Sequence, residues 1–386
     1  MSKGGKNKQN KKNIVENLDQ KDTLEINANL NTLDIKKIPP WLWGIFLFLS
    51  LIILAEIVYL VFIFVQKDKP VENVVWQNQI GESEKLEGYP RALDGVLMSD
   101  DTQTNLWPVA VMLDNMIDAR PQFGISKANL VIESLAEANI TRFLAFFDLG
   151  QEIKKIGPVR SARPYFAEWA GELGAVYAHS GGSPEALANI KAGVYDIYDL
   201  NEFYNGNDFW RYQNRYAPHN LLTSTELLSE VVKNKVGDQV ANYPKFAFKN
   251  EAEVDSRGLD LQEFEIYFND ADHLVKWIYN RETNDYVRYQ GGRKHLDADG
   301  SEVRAKNVVI QKVEMEILDA VGRKQITTVD NKSAVIFQDG QIIEGAWKKE
   351  NNQSRTKFYA SDGQEIKFDR GITWIEVVPE DYEVKY

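Results

Sequence analysis

The chain has 386 residues, a formal net charge of −12 at pH 7 and no cysteine. The lack of cysteine excludes disulfides, thiol catalysis, cysteine-ligated zinc and lipidation of a cysteine. Residues 1–69 carry ten lysines against seven acidic residues, so the net negative charge of the chain arises from the residues beyond 69. Such an acidic surface disfavours nonspecific binding to polyanions. We therefore expect no nucleic-acid partner.

A 25-residue apolar run covers residues 41–65, with Glu56 as its only ionisable residue. A helix needs about 20 apolar residues to cross a bilayer, so the run predicts a single transmembrane helix within 39–66. It is too long for a cleaved signal peptide, which favours an uncleaved signal-anchor. The lysine excess of the polar, disordered tail 1–38 predicts a cytoplasmic N-terminus. The remainder would then be extracytoplasmic, in a cell membrane that we assign to a bacterial envelope.

After a linker over 67–104, the sequence predicts an α/β or α+β domain over 105–244. Apolar runs rich in β-branched and aromatic residues alternate with segments of helical spacing. Ser183 is suited to capping one of these helices, and Ser224 or Thr225 another. Strands are predicted over 107–114, 128–136, 140–149 and 174–180, and helices over 164–173, 185–193 and 224–235.

From residue 245 onwards, apolar and polar residues alternate with a period of two, which is typical of strands. Asp-Gly pairs at 299–300, 339–340 and 362–363 predict hairpin turns. Residues 245–386 are therefore predicted to form a β-rich C-terminal domain of six to nine strands. His273 and His295 lie near turns in this region, and we expect them on a solvated sheet face.

Polar residues of the first domain concentrate in four short stretches, at 133–142, 157–163, 179–184 and 211–220. Arginine is suited to bidentate recognition of carboxylate or phosphate, and a glycine pair before a helix leaves backbone N–H groups for an anion. Together these features predict an anion-binding cleft. The expected ligand-binding residues are Arg142, Arg160, Ser161, Arg163, His179, Gly181, Gly182, Ser183, Arg215, His219 and Asn220.

Two other interpretations fit the same residues. In a hydrolase of envelope polymer, His179 or His219 would be the general base, or Glu133 and Glu137 would be the acid and base of glycoside cleavage. In a scaffold protein, the arginines would be structural and the β-rich domain would contact another envelope protein. The Gly-Gly-Ser-Pro turn is not followed by the Gly-Lys-Ser/Thr of a phosphate-binding loop. We expect no cofactor and no metal.

These stretches, in this order, resemble the YerB-like lipoprotein family of bacteria, a domain of unknown function with its own C-terminal partner domain. The resemblance covers roughly residues 105–380 and implies a two-domain extracytoplasmic protein tethered to a membrane. Many members are lipid-anchored through cysteine, whereas here an apolar helix would replace the lipid. The matching segments are 119–122 (ARPQ), 140–145 (ITRFLA), 156–163 (IGPVRSAR), 179–184 (HSGGSP), 215–220 (RYAPHN), 292–297 (GRKHLD), 307–311 (NVVIQ), 345–349 (GAWKK) and 371–375 (GITWI).

The leading hypothesis is therefore a membrane-anchored envelope protein of this family that binds an anionic ligand, such as a cell-wall fragment, through the Arg/His cleft. The resemblance does not supply an activity. It leaves open whether the protein is an enzyme, which ligand it takes and how many copies assemble.

Overall fold

The computed structural model describes residues 88–386 apart from 238, 261 and 269, together with seven isolated positions between 39 and 56. The predicted tail 1–38 and most of the predicted anchor 39–66 lie outside the described residues. Among those that are described, no helix combines the length and the apolarity needed to cross a membrane. The isolated positions are Pro39, Trp41, Gly44, Leu47, Ser50, Leu54 and Glu56.

The described residues between 88 and 244 form short strands and three α-helices. The strands are β1 (Tyr89–Pro90), β2 (Leu97–Met98), β3 (Val109–Asp114), β4 (Leu130–Glu137), β5 (Ile140–Phe147), β6 (Val176–His179), β7 (Tyr198–Asn201), β8 (Trp210–Arg211) and β9 (Leu221–Leu222). The helices are α1 (Pro164–Gly171), α2 (Pro184–Lys191) and α3 (Thr225–Val236). Single 3₁₀ turns occupy Asp101–Gln103, Ile117–Ala119, Ile125–Lys127 and Gly206–Asp208.

Beyond residue 245 the described chain forms strands and two further 3₁₀ turns. The strands are β10 (Ala247–Lys249), β11 (Glu263–Tyr267), β12 (Leu274–Asn280), β13 (Asp285–Gln290), β14 (Arg293–Lys294), β15 (Arg304–Ala305), β16 (Asn307–Val313), β17 (Met315–Ile317), β18 (Lys324–Ile326), β19 (Asn331–Gln338), β20 (Gln341–Lys348), β21 (Lys357–Ala360), β22 (Lys367–Asp369) and β23 (Thr373–Pro379). The 3₁₀ turns are Val254–Ser256 and Ala271–His273.

A ten-stranded mixed sheet runs through both parts of the sequence, in the order β21-β20-β19-β16-β23-β4-β5-β3-β6-β7. The two parts meet where β23 pairs in parallel with β4, which places Glu376 directly beside Glu133. At the other end, β3, β6 and β7 run parallel to one another. A second sheet has the order β11-β12-β13-β14, and β15 also pairs with β13.

Both faces of the large sheet are covered, which explains the continuous apolar runs of its central strands. Val109, Val111 and Leu113 of β3 point into the core shared with the second sheet, whereas Ala110 and Met112 point to the face covered by α1. Successive side chains of a strand alternate between the two faces, so a strand covered on both sides needs apolar residues at every position.

The predicted fold class is wrong, because the described structure is mostly β-sheet with few helices; its β-rich second part is consistent with that structure. Three helices among so many strands do not build the alternating layers of an α/β domain. The cause lies in long-range pairing. The antiparallel pairs β4-β5 and β3-β5 need no crossover helix, and β23 joins this sheet from the far end of the sequence.

Several local predictions are confirmed. The hydroxyl oxygens of Ser183 and Ser224 accept hydrogen bonds from the first turns of α2 and α3. At the turn between β19 and β20, Asp339 and Gly340 both have positive φ, at 53° and 66°. That combination defines the type I′ hairpin turn, which Asp-Gly pairs favour.

Candidate functional site

Three parallel strands end at one edge of the large sheet, and each ends in a polar residue. Asp114 closes β3, His179 closes β6 and Asn201 closes β7. In open sheets with parallel strands, ligands bind outside the carboxyl ends of those strands. We therefore expect a ligand site at this edge of the sheet.

Asp114, the last residue of β3, has a side chain that is only 1% exposed. Its Oδ2 accepts a hydrogen bond of 2.6 Å from Nδ1 of His219 and lies 3.0 Å from Nε of Arg160. Its Oδ1 accepts a hydrogen bond from the backbone N–H of Met116. We call Asp114, Arg160 and His219 the Asp114 site.

Arg160 is held at its root and open at its tip. Its backbone N–H donates to Met112, and its carbonyl accepts from Ser180, so the segment is fixed between β3 and β6. The contact of Nε with Asp114 is close but poorly aligned for a hydrogen bond, so it acts as an ion pair. Burial lowers the pKa of Arg160, and Asp114 opposes that shift. The terminal guanidinium nitrogens make no hydrogen bond to the described residues, and the side chain is 20% exposed.

The two histidines of the predicted cleft differ in availability. His179 is fully buried, with Nδ1 at 2.7 Å from the Gly181 carbonyl and Nε2 at 2.8 Å from Asp199. Both of its ring nitrogens are therefore occupied. His219 is 15% exposed, and Nε2 makes no hydrogen bond within the described part of the chain. Only His219 can offer a ring nitrogen to a ligand.

Arg142 and Arg163 are buried side chains that share the carboxylate of Glu137. Arg142 donates to Glu137 Oε2 at 2.9 Å and to the Ser161 carbonyl at 2.7 Å. Arg163 contacts the other carboxylate oxygen and donates to the carbonyl of Ala162. Burial lowers the pKa of both arginines. Arg142 lies directly across from Asp114 in the pairing of β3 with β5, but the ion pairs of both arginines are with Glu137.

Arg215 links two loops through backbone contacts. Its guanidinium donates to the carbonyls of Ala119 and Pro121, at 2.7 and 3.0 Å, and lies over the ring of Phe123. Asn220 donates from its amide to the Arg215 carbonyl at 2.9 Å. Both residues shape the loop that presents His219.

The turn after β6 is also tied down. The Gly181 N–H donates to Asn201 Oδ1 at 3.0 Å, so this amide is not free for an anion. Gly181 has φ +63°, and a Cβ there would come within 2.7 Å of the Phe203 ring. Gly182 forms a parallel bridge with Ala162. Ser183 is occupied as the cap of α2.

Glu133 and Glu137 do not form a catalytic pair. Glu137 faces the two buried arginines, whereas Glu133 is fully buried and receives a 2.5 Å hydrogen bond from Arg288 on β13. Glu376, also fully buried, lies beside Glu133 on β23, with an oxygen 3.8 Å from Arg288. Burial, reinforced by the charge of Glu133, raises the pKa of Glu376. We call Glu133, Arg288 and Glu376 the buried triad.

The expectation that His273 and His295 lie on a solvated face is wrong. They are 3% and 5% exposed, because that face of the second sheet packs against the large sheet. His295 contacts Arg288 at 2.7 Å and Gln122 at 2.9 Å, and His273 contacts the Asn115 carbonyl. Burial lowers the pKa of both histidines.

The sequence analysis missed Asp114 as the centre of the site. A polar residue at the end of an apolar run was the available signal, since the run 107–114 ends in this aspartate. Arg288 was also missed, because an arginine in a strand of alternating pattern ordinarily faces solvent.

Two domain profiles of one protein family match this chain. The profiles of a family described as "Protein of unknown function (DUF3048)" match residues 93–240 with the N-terminal domain and 264–375 with the C-terminal domain. The chain is 32% identical over 286 residues to "Putative lipoprotein YerB" of Bacillus subtilis (strain 168), covering 74% of this chain and 85% of that protein.

A crystal structure of the YerB protein from Bacillus subtilis has the same fold. Its TM-score is 0.67 at 31% identity, and the match covers 78% of this chain and all of that one. The chain therefore belongs to the YerB-like DUF3048 family, which confirms the resemblance noted in its motifs.

Proposed function

We propose that this protein belongs to the bacterial cell envelope, acts outside the cytoplasm and binds an anionic ligand, such as a cell-wall fragment, at the Asp114 site. Support for membrane association comes from the name of its relative, "Putative lipoprotein YerB". The observation that carries the binding proposal is the pairing of Arg160 and His219 on one buried carboxylate, with free guanidinium N–H groups on Arg160 and an unoccupied Nε2 on His219.

Geometry supports an anion at this position. Asp114 orients Arg160 and His219, because both contact its Oδ2. The free guanidinium N–H groups of the partly exposed Arg160 are then available, and a carboxylate or phosphate could accept two of them. Nε2 of His219 is a further polar atom for a ligand.

Exposed aromatic side chains on the surrounding loops support a sugar-containing ligand. Phe203 and Tyr204 follow β7 and are 72% and 84% exposed, and Tyr216 on the His219 loop is 92% exposed. Glu202 directly precedes Phe203, and its carboxylate accepts hydrogen bonds of 2.7 Å from the Ser180 hydroxyl and from the Arg211 guanidinium. Flat aromatic faces beside polar groups can pack against the apolar face of a sugar ring while the polar groups bind its substituents.

The remaining predicted residues are assigned supporting roles in this proposal. Arg142 and Arg163 fix the strand ends through Glu137, and Arg215 and Asn220 fix the His219 loop. Ser161, His179, Gly181, Gly182 and Ser183 shape the turns beneath the site.

Replacing Arg160 with methionine is expected to weaken binding of an anionic ligand at least about tenfold, because a hydrogen bond to a charged group contributes about 1.5–3 kcal/mol. Calorimetric titration of the full chain with inorganic phosphate, glycerol-phosphate oligomers and muropeptides measures this. The matched control is Arg293→Met, an exposed arginine on β14. Equal loss in both variants, or full binding by Arg160→Met, would contradict the assignment.

One observation favours a second candidate, an envelope-polymer hydrolase. A histidine oriented by a buried carboxylate, with its other nitrogen free, has the arrangement of a general base. Muropeptide turnover that is lost in both His219→Ala and Asp114→Asn would identify an enzyme. Binding without turnover, by a chain that keeps His219, would leave the ligand-binding proposal in place.

A further inference from the structure

A separate cavity of about 220 Å³ lies between α1, α2 and β18. Its polar lining includes Tyr165, Glu168, Glu185, Asn189, Tyr195 and Lys324. None of these residues belongs to the Asp114 site. The volume is below the roughly 300–1,000 Å³ of pockets for drug-sized ligands, which restricts the cavity to small molecules or to the end of a larger one.

Lys324 is the distinctive group in this cavity. It is only 7% exposed, and no carboxylate of the described residues lies within ion-pair distance of its ammonium group. Burial alone lowers the pKa of Lys324. The aliphatic stem of Lys324 is buried, whereas its ammonium group is not fully enclosed and lines the cavity. A cation in a cavity without a protein counter-ion is suited to an anionic group from a ligand.

The two carboxylates that line the cavity differ in whether they already have partners. Glu168 already contacts Lys349 and Thr328. Glu185, in the first turn of α2, is exposed and has no ion-pair partner in the described part of the structure. Burial raises the pKa of Tyr195, and the charges of both carboxylates add to that shift. The cavity therefore has an unpaired cation on β18 and an unpaired carboxylate on α2.

We propose that this cavity binds a small ligand that carries both a carboxylate and an amine, the chemistry of an amino acid or of a short peptide. The carboxylate pairs with Lys324, and the ammonium faces Glu185. Asn189, which donates to the Tyr195 hydroxyl at 3.0 Å, also lines the cavity. This site is independent of the proposed function at the Asp114 site.

The test uses the full chain and four probes: alanine, alanyl-alanine, acetate and methylammonium. We expect alanine or alanyl-alanine to bind in calorimetry, and Lys324→Met to weaken that binding at least about tenfold, as expected for loss of a charge-assisted contact. Glu185→Gln is expected to weaken the zwitterions and leave acetate unchanged. The stronger of the first two probes distinguishes a free amino acid from a peptide.

Two controls separate this site from other effects. Lys332→Met removes a lysine of β19 that already pairs with Glu380, and it should leave zwitterion binding unchanged. Arg160→Met should also leave it unchanged, so this proposal and the one for the Asp114 site can fail separately. Glu185 is exposed, so its variant remains informative if Lys324→Met does not fold. Unchanged zwitterion binding in Glu185→Gln or in folded Lys324→Met, or no binding of any probe at millimolar concentration, would overturn the proposal.

Discussion

Replacing Arg288 with methionine is expected to lower the free energy of unfolding by about 3–5 kcal/mol, the range measured when one partner of a buried ion pair is removed. Arg288 is the cation of the buried triad, and all three members are fully buried. Its guanidinium also lies over the ring of Trp374, 4.9 Å from the centroid. Methionine would fill part of that volume and would leave Glu133 as an uncompensated charge.

Urea unfolding of the purified chain measures this effect. The matched controls are Arg293→Met on the exposed strand β14 and Glu376→Gln within the triad. Because burial favours the neutral form of Glu376, the glutamine is expected to cost less than about 1 kcal/mol, typical of a conservative swap. Arg288→Met within 1 kcal/mol of the unmodified chain would show that the triad does not stabilise the packing of β13 against β4 and β23.

The second large effect is expected from Glu137→Gln, which should lower the free energy of unfolding by about 3 kcal/mol. Glu137 is the carboxylate shared by Arg142 and Arg163, whose side chains are 5% and 8% exposed. The glutamine keeps the shape of the side chain but leaves two buried guanidinium groups without a counter-charge. The expected loss lies at the low end of the range because Glu137 itself is 18% exposed.

The same variant distinguishes structural arginines from ligand-binding ones. Thermal or urea unfolding gives the stability, and phosphate titration of the folded variant gives the binding. Glu152→Gln is the control, because that carboxylate is 76% exposed and only 3.8 Å from Lys154 in a surface pair. Loss of binding in Glu137→Gln with stability unchanged would place Arg142 and Arg163 in the ligand site and contradict their structural assignment.

Local structure could be predicted well where local chemistry decides it. The apolar run 107–114 contains β3, Pro184 begins α2 behind its Ser183 cap, and Asp339-Gly340 forms the predicted turn. Each depends on neighbours within a few residues, so the sequence pattern carries the information.

The sheet order could not be predicted in the same way. The parallel pairing of β23 with β4 joins residues separated by more than 240 positions. Apolar runs such as 130–137 fit a strand that is buried on both faces in either a parallel or an antiparallel sheet. Periodicity therefore could not show that strands from both parts of the chain complete one sheet.

Arg160 and His219 of the Asp114 site were among the residues singled out from the sequence, but Asp114 and the grouping around it were not. Arg142, Arg160 and Arg163 are close in sequence, yet only Arg160 of the three forms an ion pair with Asp114, because the other two pair with Glu137. A count of arginines cannot distinguish a guanidinium paired with a buried carboxylate from one that has free donors. That difference depends on which strand end each side chain reaches.

The most direct test of the Asp114 site is nitrogen NMR of the histidine rings during titration with inorganic phosphate and muropeptides. We expect the Nε2 resonance of His219 to shift on binding, whereas the resonances of His179, whose two nitrogens are occupied, do not move. The His219 shift should disappear in Arg160→Met. Binding that leaves His219 unperturbed, or that perturbs it equally without Arg160, would contradict the central claim that these two residues share one anionic ligand.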